Sequence, residues 1–200
     1  CCYHTLACQE LKTSHSKLCV KTFKSFGWDA ELVDIHDLGA VESAVEDQQV
    51  TALFAESLSN PDGIVSDIEA LAHIAHNAGI PLIIDNTIAT PVMCKPGDFG
   101  ADIIVYSTTK FLSGHGNALG GAVVDMGQFD WAKARTSSAL TEPNPAYHGI
   151  RFAETFGTLS YITFCHASVL RDLGPTMAPM NAFLTLTGME TLPLRMRQHN

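Results

Sequence analysis

The sequence lacks the features that mark several classes of protein. Its 200 residues hold no C-x-x-C pair, no G-x-x-x-x-G-K-S/T phosphate loop and no apolar run near the roughly 20 residues of a membrane helix. Basic residues are scarce, with 12 Lys and Arg against 21 Asp and Glu. The resulting net charge of −9 disfavours nucleic acid and anionic membrane surfaces as main partners.

What remains is the composition of a globular protein. Hydrophobic residues make up 46% of the chain and charged residues 16%, which favours a packed core over disorder. No signal peptide is visible, although the first residue is Cys1 and not Met. We therefore expect a cytoplasmic protein.

Residues 1–19 stand apart and are of unclear status. This segment holds four of the six cysteines, so a metal site or disulfides are possible interpretations. Neither is favoured, because no C-x-x-C pair occurs and the rest of the chain has an intracellular character. The residues concerned are Cys1, Cys2, Cys8 and Cys19, with His4 and His15 as further candidate ligands.

Short apolar runs alternate with helical patterns along the rest of the chain. This alternation predicts an α/β fold with a mainly parallel sheet and crossover helices. Strands are predicted at Ala30–Val33, Val50–Ala55, Pro81–Ile84, Asp102–Tyr106 and Ala122–Val124. Helices are predicted at Val20–Phe26, Leu38–Val45, Asp67–Ala78 and Glu154–Leu170, then from Pro179 onward with a kink or break at Pro193.

Two patterns are compatible with a metal site or a nucleotide site, but their spacing favours neither. His73 and His76 lie three apart on a predicted helix, but without H-E-x-x-H they are expected to face solvent. Gly114-His-Gly116 suggests a dinucleotide fingerprint, yet it comes late, lacks the third glycine in register and precedes a strand. His115 is an alternative to Lys110 as the catalytic base of a site formed by residues 85–125, and Lys110 is preferred.

The chain is organised around residues 85–125. One apolar run ends in Asp85, and the next ends in Ser107-Thr-Thr-Lys110. Ligands in open α/β sheets bind beyond the carboxyl ends of strands, so these side chains are expected to face one crevice. An amine and a carboxylate there suit pyridoxal phosphate, and Ser107 and Thr109 offer hydroxyl groups to its phosphate. A surface lysine and a capping aspartate are the plainer interpretation.

Four dispersed motifs make this stretch resemble the Cys/Met-metabolism family of pyridoxal-phosphate enzymes. Their order matches the family, and 25 residues separate Asn60 from Asp85 and Asp85 from Lys110. The motifs are Glu56-Ser-Leu-Ser-Asn-Pro61, Asp85-Asn-Thr87, Ser107-Thr-Thr-Lys110 and Gly114-His-Gly116.

The resemblance implies a fold-type I enzyme and a role for each of six residues. It makes Lys110 the Schiff-base lysine and catalytic base, and pairs Asp85 with the ring nitrogen. Asn60 would bind the ring hydroxyl oxygen, Thr87 would pack on the ring face, and Ser107 and Thr109 would hold the phosphate. The family's ring-stacking tyrosine would fall near Lys12-Thr13, where there is none; the nearest is Tyr3.

The resemblance also implies a domain arrangement and an activity. Residues 20–175 would be part of the cofactor-binding large domain, and 176–200 a helical lead into a C-terminal domain that the sequence does not include. That domain carries the family's substrate-carboxylate arginine, a role not assigned to Arg195 or Arg197. The full-length protein would be a homotetramer with shared active sites.

Three further motifs resemble the O-acetylhomoserine sulfhydrylase branch: Phe129-Asp-Trp131, the run Thr141–Gly149, and Leu170-Arg-Asp-Leu-Gly174. The branch implies γ-replacement on O-acetyl-L-homoserine by sulfide or methanethiol, giving homocysteine or methionine and acetate. Cystathionine γ-synthase or γ-lyase and methionine γ-lyase chemistry stay open, as does a truncated, non-catalytic fragment.

Overall fold

The computed structural model describes residues 4–9 by their main chain alone, and residues 21–135 and 137–199 in full. The metal and disulfide interpretations of residues 1–19 concern side chains outside this part of the chain. The same is true of the family's tyrosine position near Lys12-Thr13 and of Tyr3.

Six strands form one sheet in the order β2-β1-β3-β4-β5-β6. Strands β1 to β5 are parallel and β6 runs antiparallel to β5. The mainly parallel α/β architecture predicted from the sequence is therefore confirmed. The strands are β1 His4–Gln9, β2 Trp28–Val33, β3 Val50–Glu56, β4 Leu82–Asp85, β5 Ile103–Ser107 and β6 Gly121–Asp125.

The five predicted strands occur within two residues of their expected bounds. The sequence predicted no strand in residues 1–19, yet β1 lies there, between β2 and β3. Its sequence, HTLACQ, has neither a continuous apolar run nor a clear alternation. The pairing with two neighbours, and not a local pattern, accounts for this strand.

Asp37 and Asp67 begin the two crossover helices, since their carboxylates accept hydrogen bonds from the amides of Ala40 and Ala70. The helices are α1 Phe23–Ser25, α2 Leu38–Glu46, α3 Ile68–Asn77, α4 Thr90–Met93, α5 Ser138–Thr141, α6 Phe152–Phe156, α7 Ser160–Phe164, α8 Pro179–Met189 and α9 Leu192–His199. The 3₁₀ turns are Pro96–Phe99, Pro145–Tyr147 and Gly157–Leu159, and Cys165–Leu173 is a π-helix.

The prediction of one helix over Glu154–Leu170 is wrong. Gly157 has φ +56°, which a right-handed helix does not accommodate, so the segment divides there. The predicted break near Pro193 is confirmed, because α8 ends at Met189 and Pro193 occupies the first turn of α9. No helix in the described part of the chain is long and apolar enough to cross a membrane.

The sheet is covered on both faces. Ile103 and Ile104 are consecutive on β5 and so point to opposite faces. Ile104 belongs to a large cluster with the crossover helices α2 and α3, whereas Ile103 packs with Trp131 and Phe152. Burial on both faces explains why the central strands are almost continuously apolar.

Asp102, just before β5, is buried beneath α3. Its Oδ2 accepts the Leu82 amide at 2.8 Å and lies 2.9 Å from Nε2 of His76. His76 was expected only to face solvent; it is 42% exposed but pairs with this carboxylate. Burial raises the pKa of Asp102, helped by the Asp125 charge and opposed by the bonds from Leu82 and His76.

We predict that Asp102→Asn becomes progressively more stable than the parent as pH rises above about 4, the ordinary value for an aspartate. The folded-state pKa of Asp102 is raised, so its contribution is fully present below the unfolded-state pKa and is lost as pH rises through the folded value. The asparagine keeps an acceptor for the Leu82 amide and carries no charge. Urea unfolding over this pH range measures the difference in free energy of unfolding.

Asp62→Asn, on the exposed turn after Pro61, controls for the loss of one negative charge. A difference between Asp102→Asn and the parent that stays constant with pH would contradict the prediction.

Candidate active site

The carboxyl ends of β3, β4 and β5 open into one cavity of about 540 Å³. Glu56 and Asp85 end neighbouring strands in register, and Ser107 ends the next strand. All six residues singled out from the sequence line this cavity: Asn60, Asp85, Thr87, Ser107, Thr109 and Lys110. The structure therefore brings Asp85 and Lys110 to one crevice, as their positions after strand ends predicted, and the role of each of the six residues there stays a prediction.

Two hydrogen bonds tie the ends of β4 and β5 together. The Asp85 carboxylate accepts the Thr87 amide at 2.8 Å, which folds the chain sharply after β4. The Thr87 hydroxyl oxygen in turn accepts the Ser107 amide at 2.8 Å. The orientation of Asp85 and the position of Ser107 are thus coupled through one threonine.

Asn86 holds the turn that follows β4. It is fully buried, and its carboxamide makes three hydrogen bonds. Its oxygen accepts from the Ser57 hydroxyl at 2.7 Å, and its nitrogen donates to the Cys94 carbonyl at 2.9 Å and to the Tyr106 hydroxyl at 3.1 Å. Burial raises the pKa of Tyr106, which keeps the phenol neutral. A buried network satisfied in this way fixes the turn above it.

Lys110 lies in a tight turn that follows β5. The Gly114 amide donates to the Lys110 carbonyl at 2.8 Å, and the Ser113 amide donates to the Thr108 carbonyl at 3.0 Å. The main chain is therefore held, whereas the lysine itself is solvent-exposed and its amine is accessible from the cavity.

Thr109 is fixed by the glycines that precede β6. Its hydroxyl exchanges hydrogen bonds with Gly120, accepting from the amide at 3.2 Å and donating to the carbonyl at 3.4 Å. A Cβ atom on Gly120 would lie 2.7 Å from the Thr108 hydroxyl and 2.5 Å from Cε of Met177. Only glycine allows this close approach, which explains part of the glycine-rich segment.

Glu56 is the acidic residue whose role the sequence did not assign. It is 5% exposed, lines the cavity, and accepts the Asn60 amide at 3.0 Å through Oε2. Through this hydrogen bond Glu56 holds the turn that presents Asn60. The Asn60–Pro61 peptide bond within that turn is cis. Its signal in the sequence is the same as that of Asp85, an acidic residue that closes a buried strand.

Arg195 and His199 also line the cavity, although they come from α9. Their sequence neighbourhood gives no sign of this, because the contact depends on how α9 packs. His115 is not among the lining residues, and its Nδ1 lies 2.6 Å from the Ser113 carbonyl. Within the described residues, no group of three or more His, Cys, Asp or Glu side chains is arranged to hold a metal ion.

A protein-family profile described as Cys/Met metabolism PLP-dependent enzyme matches residues 3–200. Among curated proteins, the chain is 41% identical over 187 residues to an O-acetyl-L-homoserine sulfhydrylase of Leptospira meyeri, a match that covers 90% of this chain and 42% of that protein. It is 45% identical over 155 residues to a homocysteine synthase of Schizosaccharomyces pombe, covering 76% of this chain and 36% of the relative. The chain thus spans less than half the length of these relatives.

Solved structures of similar proteins superpose on the chain. A putative O-acetylhomoserine (thiol)-lyase of Campylobacter jejuni, which contains a pyridoxyl-lysine phosphate residue, superposes with a TM-score of 0.91 at 38% identity, over 98% of this chain and 49% of that one. A cystathionine γ-lyase of Lactobacillus plantarum superposes with a TM-score of 0.71 at 28% identity, over 96% of this chain and 42% of the other.

We predict that Asn86→Ala lowers the free energy of unfolding by about 2–4 kcal/mol, because it leaves buried groups of Ser57, Cys94 and Tyr106 without their partner. Urea unfolding measures the change. Asn77→Ala is the matched control: Asn77 is exposed and has a hydrogen bond to His73. Equal losses for the two variants would show that the buried network does not hold the turn.

Proposed function

The chain belongs to the Cys/Met metabolism family of pyridoxal-phosphate-dependent enzymes, and from this we propose that its cavity is the active site of an O-acetyl-L-homoserine sulfhydrylase. The reaction is γ-replacement on O-acetyl-L-homoserine with sulfide or methanethiol, which gives homocysteine or methionine and acetate. The observation that carries the proposal is one cavity, in a fold-type I domain, that is lined by Lys110, Asp85 and three hydroxyl-bearing residues.

The donor set suits pyridoxal phosphate. The cavity offers an accessible amine for the aldehyde, a carboxylate for a protonated ring nitrogen, and hydroxyls for a phosphate. When bound, the cofactor supplies an electron sink for the pair left at the substrate Cα once its proton is removed.

We assign the proton transfer to Lys110 and its electrostatic support to Asp85. The lysine amine is exposed on the cavity wall and is the base that takes up and returns the Cα proton. Asp85 is 9% exposed, and its Oδ1 is oriented by the Thr87 amide, so its negative charge is fixed in direction.

The other residues bind and orient. Ser107 and Thr109 bind the phosphate, and Thr109 does so by turning its hydroxyl hydrogen away from the Gly120 carbonyl, which accepts it at 3.4 Å in the structure. Asn60 donates to the ring hydroxyl oxygen, and Thr87 contacts the ring face. The Asn60 amide donates a hydrogen bond to Glu56, and the Ser107 amide donates one to the Thr87 hydroxyl oxygen. These bonds support the assignments, because they fix the turns from which the side chains project.

The sulfhydrylase branch is preferred to the γ-lyases on similarity. The putative O-acetylhomoserine (thiol)-lyase of C. jejuni, whose name refers to the same substrate, is 38% identical to the chain. The cystathionine γ-lyase is 28% identical. The L. meyeri and S. pombe relatives, named as a sulfhydrylase and a homocysteine synthase, support the same choice.

Further proposals concern the domains, the assembly, the location and the substrates of the full-length protein. Residues 20–175 are part of the large cofactor-binding domain, and 176–200 lead towards a C-terminal domain. The full-length protein is a cytoplasmic homotetramer with shared active sites, and its substrates are small amino acids and a sulfide or thiol.

We predict that borohydride treatment of the chain with pyridoxal phosphate attaches the cofactor to Lys110, and that Lys110→Ala abolishes this adduct, because Lys110 is the lysine of the cavity. Peptide mapping by mass spectrometry measures the site. Lys95→Ala, outside the residues that line the cavity, is the control. Trapping at another lysine would refute the Lys110 assignment.

A chain extended to the length of its relatives then tests the activity. It is expected to convert O-acetyl-L-homoserine and sulfide to homocysteine. Turnover of cystathionine without turnover of O-acetyl-L-homoserine would favour the γ-lyase alternative. An inert extended chain that still carries the cofactor would favour a non-catalytic protein.

In the same extended chain we predict that Asp85→Asn lowers kcat by about 100-fold or more, because a neutral amide no longer keeps the cofactor's ring nitrogen protonated, which the electron sink requires. Asparagine retains an oxygen acceptor for the Thr87 amide, so the turn is preserved. Steady-state kinetics, with cofactor occupancy measured separately, checks this. A kcat close to that of the parent at full occupancy would argue against the role given to Asp85.

A further inference from the structure

Arg195 connects α9 to the turn that carries Lys110. Its Nη1 donates to the Phe111 carbonyl at 2.7 Å, and its Nη2 donates to the Leu112 carbonyl at 3.4 Å. Nη2 also donates to the Gly188 carbonyl at 2.8 Å, near the end of α8. One guanidinium therefore joins the lysine turn, α8 and α9.

We propose that Arg195 is a positioning residue for Lys110, acting through the carbonyls of the two residues that follow the lysine. The inference rests on the proposed function only in taking Lys110 as the reacting amine. Arg195 itself lines the same cavity as Lys110, so its contacts lie beside the amine and not at a distant surface.

The guanidinium is not free to grip a substrate carboxylate in the usual way. Arginine has five N–H donors, and four of them are taken by three carbonyls and the Thr191 hydroxyl. Bidentate binding of a carboxylate needs two parallel donors. The contacts favour a role in holding the main chain.

Two glycines allow close approaches around the lysine turn. A Cβ on Gly114, which has φ +73°, would lie 2.7 Å from Cζ of Arg195. A Cβ on Gly188 would lie 2.0 Å from the Ser113 carbonyl oxygen, so glycine is required there for α8 to reach the turn. The turn thus meets Arg195 at Gly114 and α8 at Gly188.

Apolar contacts hold α9 in place independently of the charge. Leu112, from the lysine turn, is buried against Leu192 and Met196 of α9. Loss of the guanidinium is therefore expected to loosen the turn without detaching the helix. This separation allows positioning to be measured apart from global stability.

The test uses Arg195→Lys and Arg195→Gln in the 200-residue chain, with Arg197→Gln as the control, since Arg197 is exposed on the same helix. Lysine keeps the charge but lacks the planar fork that reaches several carbonyls at once. We expect amide hydrogen exchange of residues 111–114 to accelerate roughly tenfold or more in both variants, because hydrogen bonds to a charged group are lost. Strand β4 should be unchanged.

The second readout is the rate at which pyridoxal phosphate and borohydride label Lys110 under strongly native conditions. The rate is expected to fall in the order parent, Arg195→Lys, Arg195→Gln, and added guanidinium ion should partly restore it in Arg195→Gln. A purely structural role would alter the folded fraction and not this rate. Arg197→Gln should match the parent.

Unchanged exchange at residues 111–114 and unchanged labelling in folded variants would overturn the proposal. If neither variant folds, hydrogen exchange in the parent protein provides the test. The amides of Ser113, Gly114 and Arg195 should then show the same protection within about threefold, because the lysine turn and α9 open together. A larger difference overturns it. Failure to label Lys110 in the parent would instead count against the proposed function, and the exchange result would still stand.

Discussion

The buried carboxamide of Asn86 is the interaction on which the site depends. It lies one residue beyond the end of β4 and binds Ser57 after β3, Tyr106 on β5 and the Cys94 carbonyl. Neighbouring parallel strands bring their carboxyl ends to one edge of a sheet, but they do not fix the turns beyond those ends. Asn86 does so for three segments at once, and Asp85 and Thr87 on either side of it are oriented as a consequence. The carboxylate that we propose to act on the cofactor is thus held by a residue with no proposed role in the chemistry.

The same division between holding and reacting recurs around the cavity. Glu56 is buried and binds the main chain of Asn60, and Thr87 binds the main chain of Ser107. Arg195 binds the main chain after Lys110. In each pair, one polar side chain immobilises the peptide from which another side chain projects. Such support restricts the positions of the projecting groups while leaving Lys110 exposed, as a reacting amine must be.

The five predicted strands and the polar groups at their ends leave local signals, whereas Asn60 and Thr87 were singled out only by the resemblance to the family. A buried parallel strand is an apolar run, and a polar residue that closes it lies at the edge where ligands bind. Two failures have equally physical causes. Strand β1 lacks an apolar run and is defined by its pairing with β2 and β3. The helix expected over Glu154–Leu170 has the right periodicity, but Gly157 adopts a positive φ that periodicity does not reveal.

Arg195 shows why sequence patterns did not predict the rest of the site. It is 84 residues from Phe111, whose carbonyl it binds. Its contact requires α8 to approach the lysine turn at Gly188 and α9 to pack on Leu112. Each of these conditions is tertiary, and neither changes the local pattern around residue 195. Motifs therefore locate the groups that are proposed to react, since those lie at strand ends, whereas the groups proposed to position them come from whichever element the fold brings alongside.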